Sequence, residues 1–369
     1  MPSLTHQRHY ATFVGLALVL LFSGSVSMRI FVGEYVCGGG LAELPLEKIP
    51  RSLRQEGSAM LHAVVSDLSE IAEAVIPVDP RFDADELVPG QQIVTIDPSK
   101  PHWSQWVEAA QSCDAALIVA PESDGILAKS VAMLRAGGVD VIAGSGDFLR
   151  TASDKLLTAR ALIGAGVAHP IYMATSDRRY AEECKGFSKY IVKPRDGCGT
   201  QELRTFDSLE EANAELHESS LLQAWMPGRA VSIAMVASPT QQTFLPAVSQ
   251  NLCDVTCEYN GGQGPLDDDA QRRAAALAMR AIEAMPPTVR GFVGVDLLLG
   301  DDPSADYVIE INPRLTTSYV GLRRMIHGNI TARLFDLESG PITCSTSVDT
   351  VRWTPEGTVW VNDMVTEST

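Results

Sequence analysis

From Met28 onward the chain alternates short apolar runs with stretches of helical period. Residues 29–36 (RIFVGEYV) read as a buried strand ending in the Gly38-Gly39-Gly40 loop, since consecutive apolar positions suit a strand covered on both faces. Residues 56–74 place Met60, Val64, Leu68 and Ile71 at helical spacing, which predicts a helix. Residues 115–120 (AALIVA) form another continuous apolar run, followed by Pro121-Glu122-Ser123-Asp124-Gly125 and a helical stretch over 126–136. Strands alternating with helices predict an α/β layered domain over 28–145. Its functional loops belong at the carboxyl ends of the strands. The loops at 38–40 and 122–125 are therefore candidate ligand loops, with ordinary tight turns as the plain alternative.

The second half has a different rhythm. Ser153 is a candidate cap for a helix running to Ile163 and closed by 164–166 (GAG). A short strand at 190–192 runs into Lys193-Pro194-Arg195-Asp196-Gly197-Cys198-Gly199-Thr200. A helix over 209–216, a strand over 221–226 and an antiparallel pair at 231–237 and 244–248 follow. Residues 269–284 form an Ala-rich amphipathic helix, and strands are expected at 294–299 and 307–311. Beyond about 340 the chain is rich in Ser and Thr, with one late strand at 357–361.

Charge narrows the function classes. With 46 acidic against 29 basic residues the net charge is −17, which opposes general nucleic-acid binding and requires a local basic pocket for any phosphate. The 7 cysteines are scattered without a C-x-x-C pair, against a disulfide framework or structural zinc and in favour of a reducing compartment. Residues 13–22 (FVGLALVLLF) follow Arg8 and precede small residues, the layout of a secretory signal but short for a spanning helix. A start at Met28, a cleaved signal and a membrane anchor are the three readings of 1–27.

The sharpest chemical signal is Glu310-Ile311-Asn312-Pro313-Arg314 at a strand end, with Asp296 on the preceding strand. Alternation puts Glu310, Asn312 and Arg314 on one face, and the 14 residues from Asp296 allow two strands and a turn. Two carboxylates and an amide oxygen are hard ligands suited to Mg²⁺, with Mn²⁺ as the substitute, shared with substrate phosphates. Arg314 would meet charge developing on a transferring phosphoryl group. A structural ion-pair cluster is the plain alternative. Lys193 leads into a loop where Gly197 and Gly199 let backbone N–H groups approach phosphate oxygens. That loop is neither a Walker A nor a G-x-G-x-x-G sequence, and a surface turn has the same composition. The strand at 223–228 (QAWMPG) stops at a turn, and backbone groups beside Trp225 and Met226 would suit an adenine edge.

Taken in order, Lys155, Lys193 with its Gly loop, Gln223-Ala224-Trp225-Met226, Asp296 and Glu310-x-Asn312-x-Arg314 resemble the ATP-grasp superfamily over roughly 145–338. The resemblance implies an ATP-grasp fold, two α+β subdomains gripping ATP, preceded by an α/β pre-ATP-grasp domain. The chain then divides into an apolar extension (1–27), a pre-ATP-grasp domain (28–145), an ATP-grasp domain (146–338) and a tail (339–369). By motif, Lys155 and Lys193 would bind phosphates, residues 223–226 would be the adenine hinge, and Asp296, Glu310 and Asn312 would hold Mg²⁺. The position that often carries a ribose-binding acid is Ala230, so the ribose contacts stay unassigned.

Residues 309–323 (IEINPRLTTSYVGLR), 120–127 (APESDGIL), 54–57 (RQEG) and 259–262 (YNGG) are similar to the tyramine–glutamate ligase group of methanofuran-type cofactor biosynthesis. This implies an ADP-forming carboxylate–amine ligase whose partners are a small carboxylate, glutamate, and an amine. Thr316, Thr317 and Ser318 would offer hydroxyls to a substrate carboxylate, a helix cap being the other reading. A bicarbonate-activating enzyme and a nucleotide-binding module without turnover are the competing functions. ATP consumption favours the cytoplasm, with neither nucleic acid nor membrane as partner. The oligomeric state, a homodimer included, stays open. Cys253 and Cys257 read as plain thiols, Trp103 and Trp106 as helix packing, and His62, His169 and His327 receive no role.

Overall fold

The computed structural model describes residues 28–197, 203–253 and 257–367. The reading of 1–27 and the expectation for Gly199 lie outside them. Among the described residues no helix is long and apolar enough to cross a membrane.

Among the described residues there are three sheets. The first is parallel and contains β1 (Arg29–Glu34), β2 (Glu73–Val78), β3 (Gln92–Thr95) and β4 (Ala115–Val119), in the order β3-β2-β1-β4. Its helices are α1 (Arg51–Leu68), α2 (Ala84–Leu87), α3 (His102–Ala110) and α4 (Ile126–Ala136). Every residue of β4 is buried because helices cover both faces. Alternation sorts the side chains: Ile30 and Val32 pack with Leu61 and Val64 of α1, while Phe31 packs with Trp106 of α3. Strand order switches direction between β1 and β4, so a crevice lies beyond their carboxyl ends.

Helices α5 (Gly146–Ala152) and α6 (Lys155–Gly164) lead into a second, antiparallel sheet. It holds β5 (Tyr172–Met173), β6 (Tyr190–Pro194), β7 (Arg204–Phe206) and β8 (Ser220–Ala224), ordered β5-β8-β6-β7, with α7 (Leu209–Ala214) before β8. The third sheet has nine strands: β9 (Arg229–Ala237), β10 (Gln242–Phe244), β11 (Val248–Leu252), β12 (Tyr259–Gly264), β13 (Gly291–Leu299), β14 (Tyr307–Asn312), β15 (Val351–Trp353), β16 (Val359–Val361) and β17 (Met364–Glu367). Its helices are α8 (Asp268–Glu283), α9 (Ser318–Met325) and α10 (Ile330–Leu334). Ala270, Ala274, Leu277 and Ala281 give α8 one buried face. One apolar core runs from β1 and α1 into Tyr319, Val320 and Leu322 of α9. At this seam Asp67 of α1 accepts from the Tyr319 hydroxyl at 2.6 Å and from Arg323 Nε at 2.8 Å.

Four local expectations are corrected. The helix expected over 56–74 starts earlier, at Arg51, and ends at Leu68; Ala74 belongs to β2, whose EAVIPV run is apolar enough to be buried in a sheet. Asp154, not Ser153, caps α6, because its carboxylate accepts from the N–H groups of Leu156 and Leu157. The strand expected at 244–248 is split into β10 and β11, both paired antiparallel with β9. The stretch set apart as a tail carries β15, β16 and β17, which extend the third sheet from β12.

Candidate active site

Cap chemistry sets the first lysine. With Asp154 holding the first turn of α6, Lys155 projects so that its Nζ lies 3.0 Å from the Gly197 carbonyl and 3.3 Å from Glu310 Oε2. The Lys155 N–H also donates to the Arg195 carbonyl at 2.8 Å, so the start of α6 grips the loop after β6. Lys193, on β6, is buried. Burial, reinforced by Lys155 and opposed by Glu310 and Asp296, lowers its ammonium to about 8. Beyond it a cavity of about 420 Å³ is lined also by Arg204, His217 and Ser220.

Antiparallel pairing assembles the acids. Asp296 of β13 sits opposite Glu310 of β14, and Gly294 opposite Asn312. The Asn312 amide donates to Asp296 Oδ2 at 2.9 Å, and the Gln250 amide of β11 donates to Oδ1 at 2.8 Å. Burial and repulsion from Glu310 push Asp296 up. Burial also acts on Glu310, but Lys155 and Lys193 outweigh it and hold this carboxyl below its ordinary value. With its amide hydrogens turned toward Asp296, Asn312 keeps a carbonyl oxygen as donor beside two carboxylates. That oxygen set fits a hard divalent ion shared with phosphate, and three residues rather than a full protein cage suit Mg²⁺. Among the described residues no group of three His, Cys, Asp or Glu gathers at any one place, so the set here is two carboxylates and an amide.

Arg314 lies beyond the end of β14, yet near enough to Glu310 to help hold its carboxyl down. The strand stops at Asn312, and Pro313, which has no N–H to continue a ladder, turns the chain away. The guanidinium reaches the first domain, where its Nε stands 2.9 Å from each carboxylate oxygen of Glu122. Glu122 opens the loop after β4, lines a cavity with Lys155, Gly197, Glu310 and Asn312, and so brings one of the two candidate ligand loops into the site. The Gly38–Gly40 loop has a packing job, since the Gly38 carbonyl accepts from Trp106 Nε1 at 2.8 Å.

The hinge residues lie together at the end of β8. The Gln223 amide meets His169 Nε2 at 3.1 Å, while His169 Nδ1 lies 2.8 Å from the Pro170 carbonyl. The Ala224 N–H donates to the Ile171 carbonyl and the Trp225 N–H to the Lys189 carbonyl, both at 2.9 Å. The Trp225 N–H thus already has a partner, and the next residue, Met226, is half-buried. Lys189 Nζ lies 4.5 Å over the Trp225 ring. Thr316 and Ser318 hydroxyls are 2.8 Å apart, and the Thr317 hydroxyl donates to Glu56 of α1. Thr317 occupies the cap position of α9 but its side chain bonds none of that helix's N–H groups. Glu122, Gln250, His169 and Glu56 are the contacts no single motif announces. The RQEG and APESDGIL similarities were the one sequence signal for two of them.

A family profile described as the ATP-grasp domain matches residues 152–318, and one described as the pre ATP-grasp 3 domain matches 72–147. Tyramine–L-glutamate ligase of Methanocaldococcus fervens is 26% identical over 215 residues, 58% of this chain and 62% of that relative. The chain thus spans less than two thirds of the curated relative it matches. A crystal structure from Archaeoglobus fulgidus, assigned to the ATP-grasp superfamily, aligns with a TM-score of 0.65 at 23% identity, covering 88% of this chain and 92% of that one. The ADP complex of N5-carboxyaminoimidazole synthetase from Staphylococcus aureus aligns at 0.64 with 13% identity, covering 86% and 80%. At these identities the two structures establish the fold. The chain carries an ATP-grasp domain at 152–318, standing behind a pre-ATP-grasp domain built on the parallel sheet.

Proposed function

We propose that this chain is an ADP-forming carboxylate–amine ligase. A carboxylate oxygen attacks the γ-phosphorus of ATP, the bond to the β–γ bridging oxygen breaks, and ADP leaves an acyl phosphate. The amine nitrogen then attacks the acyl carbon, phosphate departs, nitrogen loses a proton, and an amide remains. Phosphoryl transfer asks chiefly for positioning and charge neutralisation. Lys155 and Lys193 would hold phosphate oxygens, with N–H groups of the loop containing Gly197 and Gly199. Residues 223–226 would border the adenine, Met226 closest. Asp296, Glu310 and Asn312 would hold Mg²⁺, which supplies neutralisation of the triphosphate when bound. Arg314 would meet the charge on the moving phosphoryl group.

The observation that carries this reading is convergence: Lys155 from α6 and Lys193 from β6 surround the acid pair of β13 and β14. The likeness to tyramine–L-glutamate ligase supports glutamate as the carboxylate, an amine of the tyramine kind as acceptor, and a role in making a cofactor. Thr316, Thr317 and Ser318 would lie toward the substrate, and ATP use suits the cytoplasm. The test is incubation with ATP, Mg²⁺, glutamate and a panel of amines, following ADP release and the amide by mass spectrometry. ADP release with bicarbonate alone would favour a carboxylating enzyme, and nucleotide binding without turnover would overturn the ligase reading.

A further inference from the structure

We propose that Glu122 is a positioning residue for phosphoryl transfer, holding the Arg314 fork beside Glu310 so that the first domain completes the site. It rests on the ligase reading only for the role given to Arg314. Both Glu122 oxygens lie 2.9 Å from Arg314 Nε, and the two side chains are only 4% and 10% exposed. Arg314 Nη1 donates to the Leu315 carbonyl at 3.1 Å, so two of its nitrogens are tied and the plane of the fork is set. A long, flexible side chain that must meet charge at one place gains from such pre-organisation.

The loop carrying Glu122 is shaped for contact with the second domain. Asp124 and Gly125 adopt φ of 54° and 66°, and the Asp124 N–H turned outward by this geometry donates to Asp196 Oδ2 at 2.9 Å. A Cβ added at Gly197 would meet Ser123 Oγ at 3.4 Å, so the same loop borders the Gly-containing phosphate loop. Left-handed backbone at a non-glycine residue is a conformation that surrounding contacts must maintain. A carboxylate set beside Lys155, Gly197 and Glu310 opposes incoming phosphate charge. A neutral pair would staple two domains equally well. Orienting a cation explains why the group there is charged.

A double-mutant cycle with Glu122→Gln and Arg314→Lys tests this. ADP release is read with glutamate plus amine, with bicarbonate, and with water as acceptor, beside ATP affinity and melting temperature. Glu122→Gln is expected to lower kcat at least tenfold with KM for ATP within about twofold. The double variant is expected to fall no more than about twofold below Arg314→Lys, because both changes remove one function. Fully multiplicative losses, or normal kcat in folded Glu122→Gln, overturn the proposal. If Glu122→Gln unfolds, Glu122→Asp is read instead. A lowered melting temperature with unchanged kcat there reduces the pair to a staple and also overturns it. Turnover with bicarbonate or water but no amide sinks the ligase reading alone, leaving the cycle readable; no ADP release from any acceptor sinks both.

Discussion

The acid face of β13 and β14 and the hinge at the end of β8 both flank Lys193, yet they are balanced in opposite ways. In the hinge the Gln223 amide and the Ala224 and Trp225 N–H groups have protein partners. Gln223 meets His169, His169 meets Pro170, and the N–H groups of Ala224 and Trp225 reach the carbonyls of Ile171 and Lys189. On the acid face, two amide donors and two lysines still leave Asp296 raised by burial and by Glu310. Opposed buried carboxylates of this kind suit the cation site proposed above, a structural ion-pair cluster being the alternative.

The change that separates the two regions most is Asp296→Asn. ADP release is expected to fall about a thousandfold, the upper range for one preorganised electrostatic group. The melting temperature should hold or rise, since the like-charge repulsion goes. Retained activity with a lowered melting temperature would make this a structural ion-pair cluster. Arg314→Lys comes next, with roughly a hundredfold loss of kcat because the bidentate fork goes while the charge stays. ATP affinity measured by calorimetry should stay within about threefold, as expected for a contact felt in the transition state. A parallel collapse of ATP binding would place Arg314 on the ground-state triphosphate.

What could be read from sequence follows the distance over which each feature is decided. Glu310 and Asn312 were legible because alternation along a strand is local, and Asp296 because its partner strand is the next one. Alternation says less about Arg314, because the ladder ends before it, at Asn312. The helix containing Glu56 was extended too far because Ile71 and Ala74 keep its period for one more turn. Gln250, His169 and Glu122 meet their partners across 46, 54 and 192 residues, separations that no periodicity encodes. The strands after 350 are three or four residues long and draw their order from β12, so their sequence alone carries little signal.

Lys193→Ala probes the boundary between the two regions. Losing one contact to a charged phosphate should weaken ATP by about 1.5–3 kcal/mol, the range for hydrogen bonds to ionised groups. AMP should be affected far less, because Lys193 faces the acids that would carry metal and polyphosphate. Calorimetry with both nucleotides decides it. Equal weakening of the two would move Lys193 into the hinge or into fold stability.

The smallest effect belongs to the hinge and is read in stability. His169 is buried, and burial with Lys193 nearby lowers its imidazole to about 3. In an unfolded chain the ring titrates near 6.5, so folding favours the neutral form. Its contribution is complete above about pH 6.5 and is lost as the pH falls from there toward 3. At about 1.4 kcal/mol per pH unit, the loss at pH 5 relative to pH 8 is about 2 kcal/mol. His169→Gln presents an amide to Gln223 and takes up no proton, so this part of the acid sensitivity should vanish. Urea unfolding of both proteins at pH 8 and pH 5 isolates it, because every other titrating group is common to the pair. A wild-type decline larger by about 2 kcal/mol supports a neutral ring held by Gln223 and Pro170. Equal declines would mean that the folded protein already accommodates the charged imidazole, and the hinge would then share the unresolved charge of the acid face.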